Sequence, residues 1–253
     1  MTSSGTTLFN PSAADLTLLA FSRIGKSGSV LTQEHLSMAA IEANLLNVEW
    51  ANKGYNLWKQ ETIPVVAGSG GSSGTAGQLT QAGITYSLAS TVLAVTAAWI
   101  ETANGDGTFT DRFMGPMSAY EYAAMPNKQS QGPPTSYWFN RQIVPVMNYF
   151  PAPDSAGPYF AYVQAFTQIQ DVVLPGDVTL DAPYRFLDAF AAGLAARLAV
   201  HYAPQRAGTP AMGPVPASGM FALADAAWFA ATKRDTEAVN MSIMPNFSRY
   251  QRR

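Results

Sequence analysis

Two histidines, His35 and His201, are the only imidazoles in the chain. Each lies in a stretch with helical spacing, and neither has a second ligand at metal-binding distance along the chain, so both read as capping or surface histidines. Gly70-Gly71-Ser72-Ser73-Gly74 matches the G-x-S-x-G pattern that presents a nucleophilic serine. That chemistry needs a strained strand-to-helix turn and a base to take the proton, whereas this match lies inside a Gly/Ser run. Asn104, Asp106, Thr108 and Asp111 have the look of a calcium loop, but its sixth position would be Phe109 in place of the turn glycine, and no glutamate stands at the twelfth. Asp111, Glu121 and Asp171 could belong to a carboxylate pair across a sugar cleft, and each reads equally well as a solvated loop acid. No GxxxxGK[ST] phosphate cradle occurs. The expectation is a chain without a catalytic centre, metal or cofactor.

The elements that would have to position such residues follow from composition and periodicity. The 253 residues are enough for one large domain, or one core with an inserted second. Hydrophobic residues make up 47% but charged ones only 13%, about half the usual share, so the surface is built of small polar residues or is covered by other subunits. Fifteen basic against seventeen acidic residues give a net charge of -2, which excludes a field over the whole molecule that would draw it to nucleic acid or an anionic membrane. The absence of cysteine excludes disulfide stapling, thiolate catalysis and Cys-based zinc sites. Residues 1–10 lack the basic start and apolar block of a secretion signal, and Ile84 to Ile100 is cut by Thr85, Ser87, Ser90, Thr91 and Thr96. A soluble intracellular product is expected.

Two helices are expected in the first 60 residues. Ser12, with Asp15 three positions on, caps the first, which Gly25 closes; Leu16, Leu19, Ala20 and Ile24 form its buried face. Thr32 caps the second, Gly54 ends it, and Leu36, Ala39, Ala43, Leu46 and Trp50 make a single apolar stripe. Residues 67–77 (AGSGGSSGTAG) then read as a loop or linker. Beyond it lie β-branched and aromatic runs at 84–88, 92–100, 108–113, 137–139, 143–150 and 159–169, with Asn104-Gly105-Asp106-Gly107 as a hairpin turn. Helical spacing returns after Pro183 with Phe186, Leu187, Phe190, Leu194 and Leu198, and a last helix runs from about Ser218 to Val239. The aromatics of the middle part, from Tyr120 to Tyr162, read first as core, and otherwise as a stacking surface for sugars or another protein.

Four stretches together carry a resemblance. They are Leu18 to Gly25 (LLAFSRIG) with Leu31 to Trp58, ending LLNVEWANKGYNLW; Pro116 to Arg141, with PMSAYEYAAMPNK and PPTSYWFNRQ; Phe186 to Pro204 (FLDAFAAGLAARLAVHYAP); and the closing helix with Asp235, Glu237 and MSIMPNFSRY. In order and spacing these resemble the head-to-tail adaptor, or head-completion, proteins of tailed bacteriophages, over about half the chain. The resemblance implies an α+β fold: a helical bundle formed by the N- and C-terminal helix pairs (1–60 and 178–240), a β-sandwich-like insert (61–177) and an extended C-terminal tail (241–253). It also implies a virion protein assembled in the host cytoplasm. Such a protein forms a ring, a dodecamer, that docks below the portal protein and meets a tail or nozzle protein; it stands near packaged DNA and has no membrane partner. The Gly/Ser segment 67–77 departs from the family pattern.

The tail carries the candidate binding residues. From Asn240 onward there is no helical stripe and no acidic residue, and Pro245 favours extended backbone before it. Ile243, Phe247 and Tyr250 supply apolar area, while Arg249, Arg252 and Arg253 can fork onto carboxylates, so the segment is expected to order in a portal cleft. Two other readings stand beside the adaptor: a carbohydrate-binding or spike-type β module, resting on the aromatics, and a cell-wall hydrolase, resting on scattered carboxylates.

Overall fold

The computed structural model describes residues 9–54, 57–65, 77–79, 83–176, 178–212 and 216–233. Ser72 and the tail residues Ile243, Phe247, Arg249, Tyr250, Arg252 and Arg253 lie outside them, as do most of the Gly/Ser segment and the last turns expected of the closing helix.

Helix α1 (Ala13–Arg23) begins as its sequence dictates. Ser12 Oγ accepts from the Asp15 backbone N–H at 3.1 Å, and Asp15 Oδ2 accepts in return from the Ser12 N–H at 3.2 Å. Helix α2 (Gln33–Lys53) ends at Gly54, whose left-handed φ of 74° a side chain would strain. The long helix α4 (Leu187–Tyr202) is followed by the short α5 (Pro204–Ala207) and by α6 (Gly219–Thr232). Helices α1, α2 and α6 each pack against α4, which is buried on nearly every side. Gly193 permits the closest approach: a Cβ there would come within 3.0 Å of the Leu46 side chain on α2. Trp50, Phe186, Phe190 and Trp228 form an aromatic cluster that joins α2, the entry to α4, and α6.

Between α2 and α4 the chain builds two four-stranded sheets, making the fold mixed α+β. The first is antiparallel throughout, in the order β1 (Gln60–Pro64), β8 (Tyr159–Thr167), β3 (Val92–Ala103), β4 (Phe109–Phe113). The second runs β2 (Thr85–Ser87), β7 (Val146–Phe150), β6 (Ser136–Asn140), β5 (Gly115–Pro116), with β5 parallel to β6. The chain passes from one sheet to the other through Met114, which is fully buried. The Asn104–Gly107 turn joins β3 to β4, and the capped helix α3 (Ala119–Ala124) lies between β5 and β6. Ala98, Ile100, Ala161 and Val163 from the first sheet and Tyr86, Tyr137, Met147 and Tyr149 from the second share one buried cluster.

A second buried cluster runs from Ala13 to Ala231 and draws on α1, α2, α4 and α6. Residues Ile169, Val172 and Leu180, on the return from β8, also belong to it. Asn44 clasps that return strand: its Nδ2 donates to the Val172 carbonyl at 3.1 Å and its Oδ1 accepts from the Val172 N–H at 2.7 Å. Lys59 Nζ, just before β1, lies 3.0 Å from Asp181, tying the segment that leaves the helices to the one that returns to them.

Three details differ from the sequence reading. Leu19 is exposed, and Phe21 and Thr17 fill the inner face of α1. Helix α2 has a second, outward apolar stripe in addition to the expected one. Strands β1 and β5 and helix α3 fall where no regular element is expected. Strand β5 has no β-branched residue and β1 has only Thr62 and Ile63 before Pro64; the two are formed by pairing with β6 and β8.

Candidate functional site

The outer surface of the helices is where polar chemistry and unpartnered apolar area meet. On α2 the inner stripe (Ala39, Ala43, Leu46, Trp50) packs inward. On the opposite side, Ile41, Leu45 and Val48 are 56%, 48% and 56% exposed at i, i+4 and i+7. Leu18 and Leu19 on α1, and Leu223 and Phe229 on α6, are exposed as well. Two apolar stripes on one helix leave part of its hydrophobic surface without cover among the described residues.

A groove of about 540 Å³ runs between α2, α4 and α6, with Leu46, Trp50, Phe221 and Trp228 among the residues lining it. Its charged wall is a ladder from α2 to α4. Arg197 Nη1 reaches Glu42 at 3.1 Å and Nη2 reaches Glu49 at 2.6 Å; Lys53 Nζ lies 2.6 Å from the other Glu49 oxygen. His201 Nε2 closes the ladder on Glu42 at 3.1 Å. Burial acts to raise the Glu49 carboxyl, but the hydrogen bonds and charges of Lys53 and Arg197 outweigh it and hold Glu49 below its ordinary value. The ladder's charged groups are thus engaged with one another, which orients α2 on α4.

The candidate chemical residues are separated. His35 serves the start of α2: its Nδ1 lies 2.6 Å from Thr32 Oγ1, and its Nε2 lies 3.0 Å from Lys26 Nζ. Asp106 Oδ1 accepts from the Thr108 N–H at 2.9 Å and from its hydroxyl at 2.6 Å, while Asn104 Nδ2 donates to Thr108 and Thr110. Asn104, Asp106 and Thr108, three of the side chains that looked like calcium ligands, are therefore spent on the hairpin turn. Glu121 Oε2 accepts from the Ser118 N–H at 2.7 Å as part of the α3 capping box. Asp111 lies on β4 and Asp171 on the irregular segment that follows β8. Among the described residues no three His, Asp or Glu side chains are arranged to hold a metal, and no helix is long and apolar enough to cross a membrane.

The aromatics divide between two roles. Tyr86, Tyr122, Tyr137, Tyr149 and Tyr159 are buried, whereas Tyr120 is exposed and Trp99, Trp138, Phe160 and Tyr162 are half-buried. The outward stripe of α2 escaped the sequence reading although its signal was present: apolar residues at 41, 45 and 48 keep helical spacing opposite those at 39, 43, 46 and 50. No family model matches this chain, and no curated protein matches it.

Proposed function

We propose that this chain is a structural virion protein, a head-to-tail adaptor that forms a ring, docks below a portal protein, meets a tail or nozzle protein and helps retain packaged DNA. In this reading the helices around α4 are the ring-forming bundle, the two sheets are a β-sandwich-like insert, and residues 241–253 are the extended portal-binding tail. The observation that carries it is the pair of uncovered apolar faces, Ile41, Leu45 and Val48 on α2 and Leu223 and Phe229 on α6. Two different faces on one helical body are what a head-to-tail ring contact requires, since each subunit must present one face to each neighbour. A charged content of only 13% fits a surface largely covered by neighbours. The role needs no catalytic group; the hydrolase alternative is weakened because Glu121 is committed to a helix cap.

The test uses the full chain and portal-bearing heads. Changing Ile41 and Val48 together to glutamate should leave the monomer folded and abolish ring formation, measured as particle mass. Deleting residues 241–253 should leave the melting temperature nearly unchanged and abolish attachment to the heads. Rings formed by the double variant, or full docking by the truncated chain, would overturn the respective part of the reading.

A further inference from the structure

Strand β4 is an edge of the first sheet, with β3 as its neighbour on one side. The Asn104 N–H donates to the Thr108 carbonyl at 2.8 Å and the Met114 N–H to the Ala98 carbonyl at 2.9 Å, which sets the phase of the β3–β4 ladder. Antiparallel pairing alternates, so Thr110 and Arg112 bond to β3 while Phe109, Asp111 and Phe113 turn their N–H and C=O groups outward. Among the described residues those outward groups meet no main-chain partner. All five residues of β4 are exposed, and neither proline nor glycine interrupts them. Such an edge is a template for one more strand.

Its side chains decide which strand. A second β4, paired antiparallel over its whole length, would set the two Asp111 carboxylates opposite each other, each beside a Glu101, where like charges are unfavourable. Among the described residues no lysine or arginine pairs with Asp111 or Glu101. The strand that fits carries a cation opposite Asp111 and an apolar residue opposite Phe113. From Asn240 onward the chain has no acidic residue and three arginines. We propose that residues 246–253 of the same chain add to β4 as a fifth strand of the first sheet, antiparallel and with Arg249 opposite Asp111, so that the free protein holds its own tail on the sheet edge.

In that register Phe247 stands opposite Phe113 and Gln251 opposite Phe109, while Ser248 and Tyr250 fall on the other face beside Arg112 and Thr110. Pro245, which has no N–H to give, stays just outside the ladder. The direction agrees with where the described chain ends. Trp58 meets Phe186 at 4.6 Å and Phe186 meets Trp228 at 5.7 Å, so β1 begins close to α6. Gln60 at that end pairs with Phe166 and Phe166 with Ala94, whereas Phe113 pairs further along β3, with Trp99. From the Gln60 row to the outer side of β4 is about 17 Å along the strands and about 19 Å across them, roughly 25 Å in all. Residues 234–246 can span up to about 43 Å. A chain arriving from α6 reaches the Phe113 end of β4 first and then runs antiparallel to it. Such a tether keeps the tail at roughly millimolar effective concentration, so a contact weak enough for a partner to displace is still occupied. The contact does not depend on the adaptor reading, in which a portal would take over the same tail.

The chain has no cysteine, so an introduced pair reports the register directly. Opposite residues of a hydrogen-bonded pair lie about 5.5 Å apart at Cα, within disulfide range. In the full chain, Phe109→Cys with Gln251→Cys should oxidise to an intramolecular bond about tenfold or more faster than Phe109→Cys with Tyr250→Cys, whose second sulfur points to the opposite face. Mass spectrometry and non-reducing electrophoresis measure it. Both pairs alter an exposed edge residue and the tail, and leave Asp111 and Arg249 in place. Amide exchange is the second readout: the Phe113 N–H should exchange about tenfold or more slowly in the parent than in Arg249→Glu, and the charge swap Asp111→Arg with Arg249→Asp should restore the protection. Equal oxidation of the two pairs, exchange at Phe113 that ignores Arg249→Glu, or bonds that form only between copies would each overturn the proposal. Attachment to portal-bearing heads is scored separately and decides the adaptor reading alone.

Discussion

Replacing Trp50 with alanine tests the packing on which the helical part depends. The ring is 2% exposed and lies 5.0 Å from Trp228, 5.7 Å from Phe186 and 6.1 Å from Phe190, centre to centre. A buried tryptophan removes up to about 250 Å² from water, worth roughly 6 kcal/mol at about 25 cal/mol per Å². Some of that area is regained as neighbours relax, and an unfolded chain hides part of it already. The expected loss is therefore about 3 to 5 kcal/mol, or roughly 6 to 20 °C in melting temperature for a chain of this size. Urea unfolding followed by far-UV circular dichroism measures it. The ring joins residues more than a hundred positions apart, so the loss should fall on the helical signal. Trp50→Phe, which keeps an aromatic ring in place, should recover about half of the loss. A cost below about 1 kcal/mol for Trp50→Ala would show that the cluster does not hold α2 and α6 to α4.

Two further outcomes follow from a fully buried group and a half-exposed one. The Tyr149 hydroxyl is fully buried without a hydrogen-bond partner, and burial, with Tyr86 and Tyr137 nearby, pushes its pKa far up; Tyr149→Phe should therefore raise stability by up to about 1 kcal/mol, and a thermal melt showing a comparable loss would mean that the hydroxyl is satisfied. Glu49 is held below its ordinary value, so its contribution is fully present above the unfolded-chain pKa of about 4.3 and is lost as pH falls through the lower folded value. With Glu49 well exposed the effect stays below about 1 kcal/mol, and Glu49→Gln should flatten the acid limb of the stability curve; an unchanged limb would remove Glu49 from the ladder's energetics.

On α2 the uncovered side chains, Ile41, Leu45 and Val48, are aliphatic. His35, Asp106 and Glu121 are committed to caps and turns.

Local features were legible in the chain itself, because they depend on neighbours a few residues away. The Ser12–Asp15 box, the Gly54 stop, the Asn104–Gly107 turn and most of the strand positions need only side chains and backbone within one turn or one hairpin. His35 as a cap could be read for the same reason. Other features came from contacts that no spacing encodes. That α4 is the central helix was decided by α1, α2 and α6 all packing on it, since its own sequence has the stripe of a helix buried on one side. The Glu42–Arg197–Glu49 ladder joins positions about 150 apart, and the aromatic row on the first sheet exists only through a register that brings 64, 99, 113 and 162 into line. Burial decides between readings that periodicity leaves equal: Ile41, Leu45 and Val48 have spacing as regular as the inner stripe, and only the position of α4 makes one side core and the other surface.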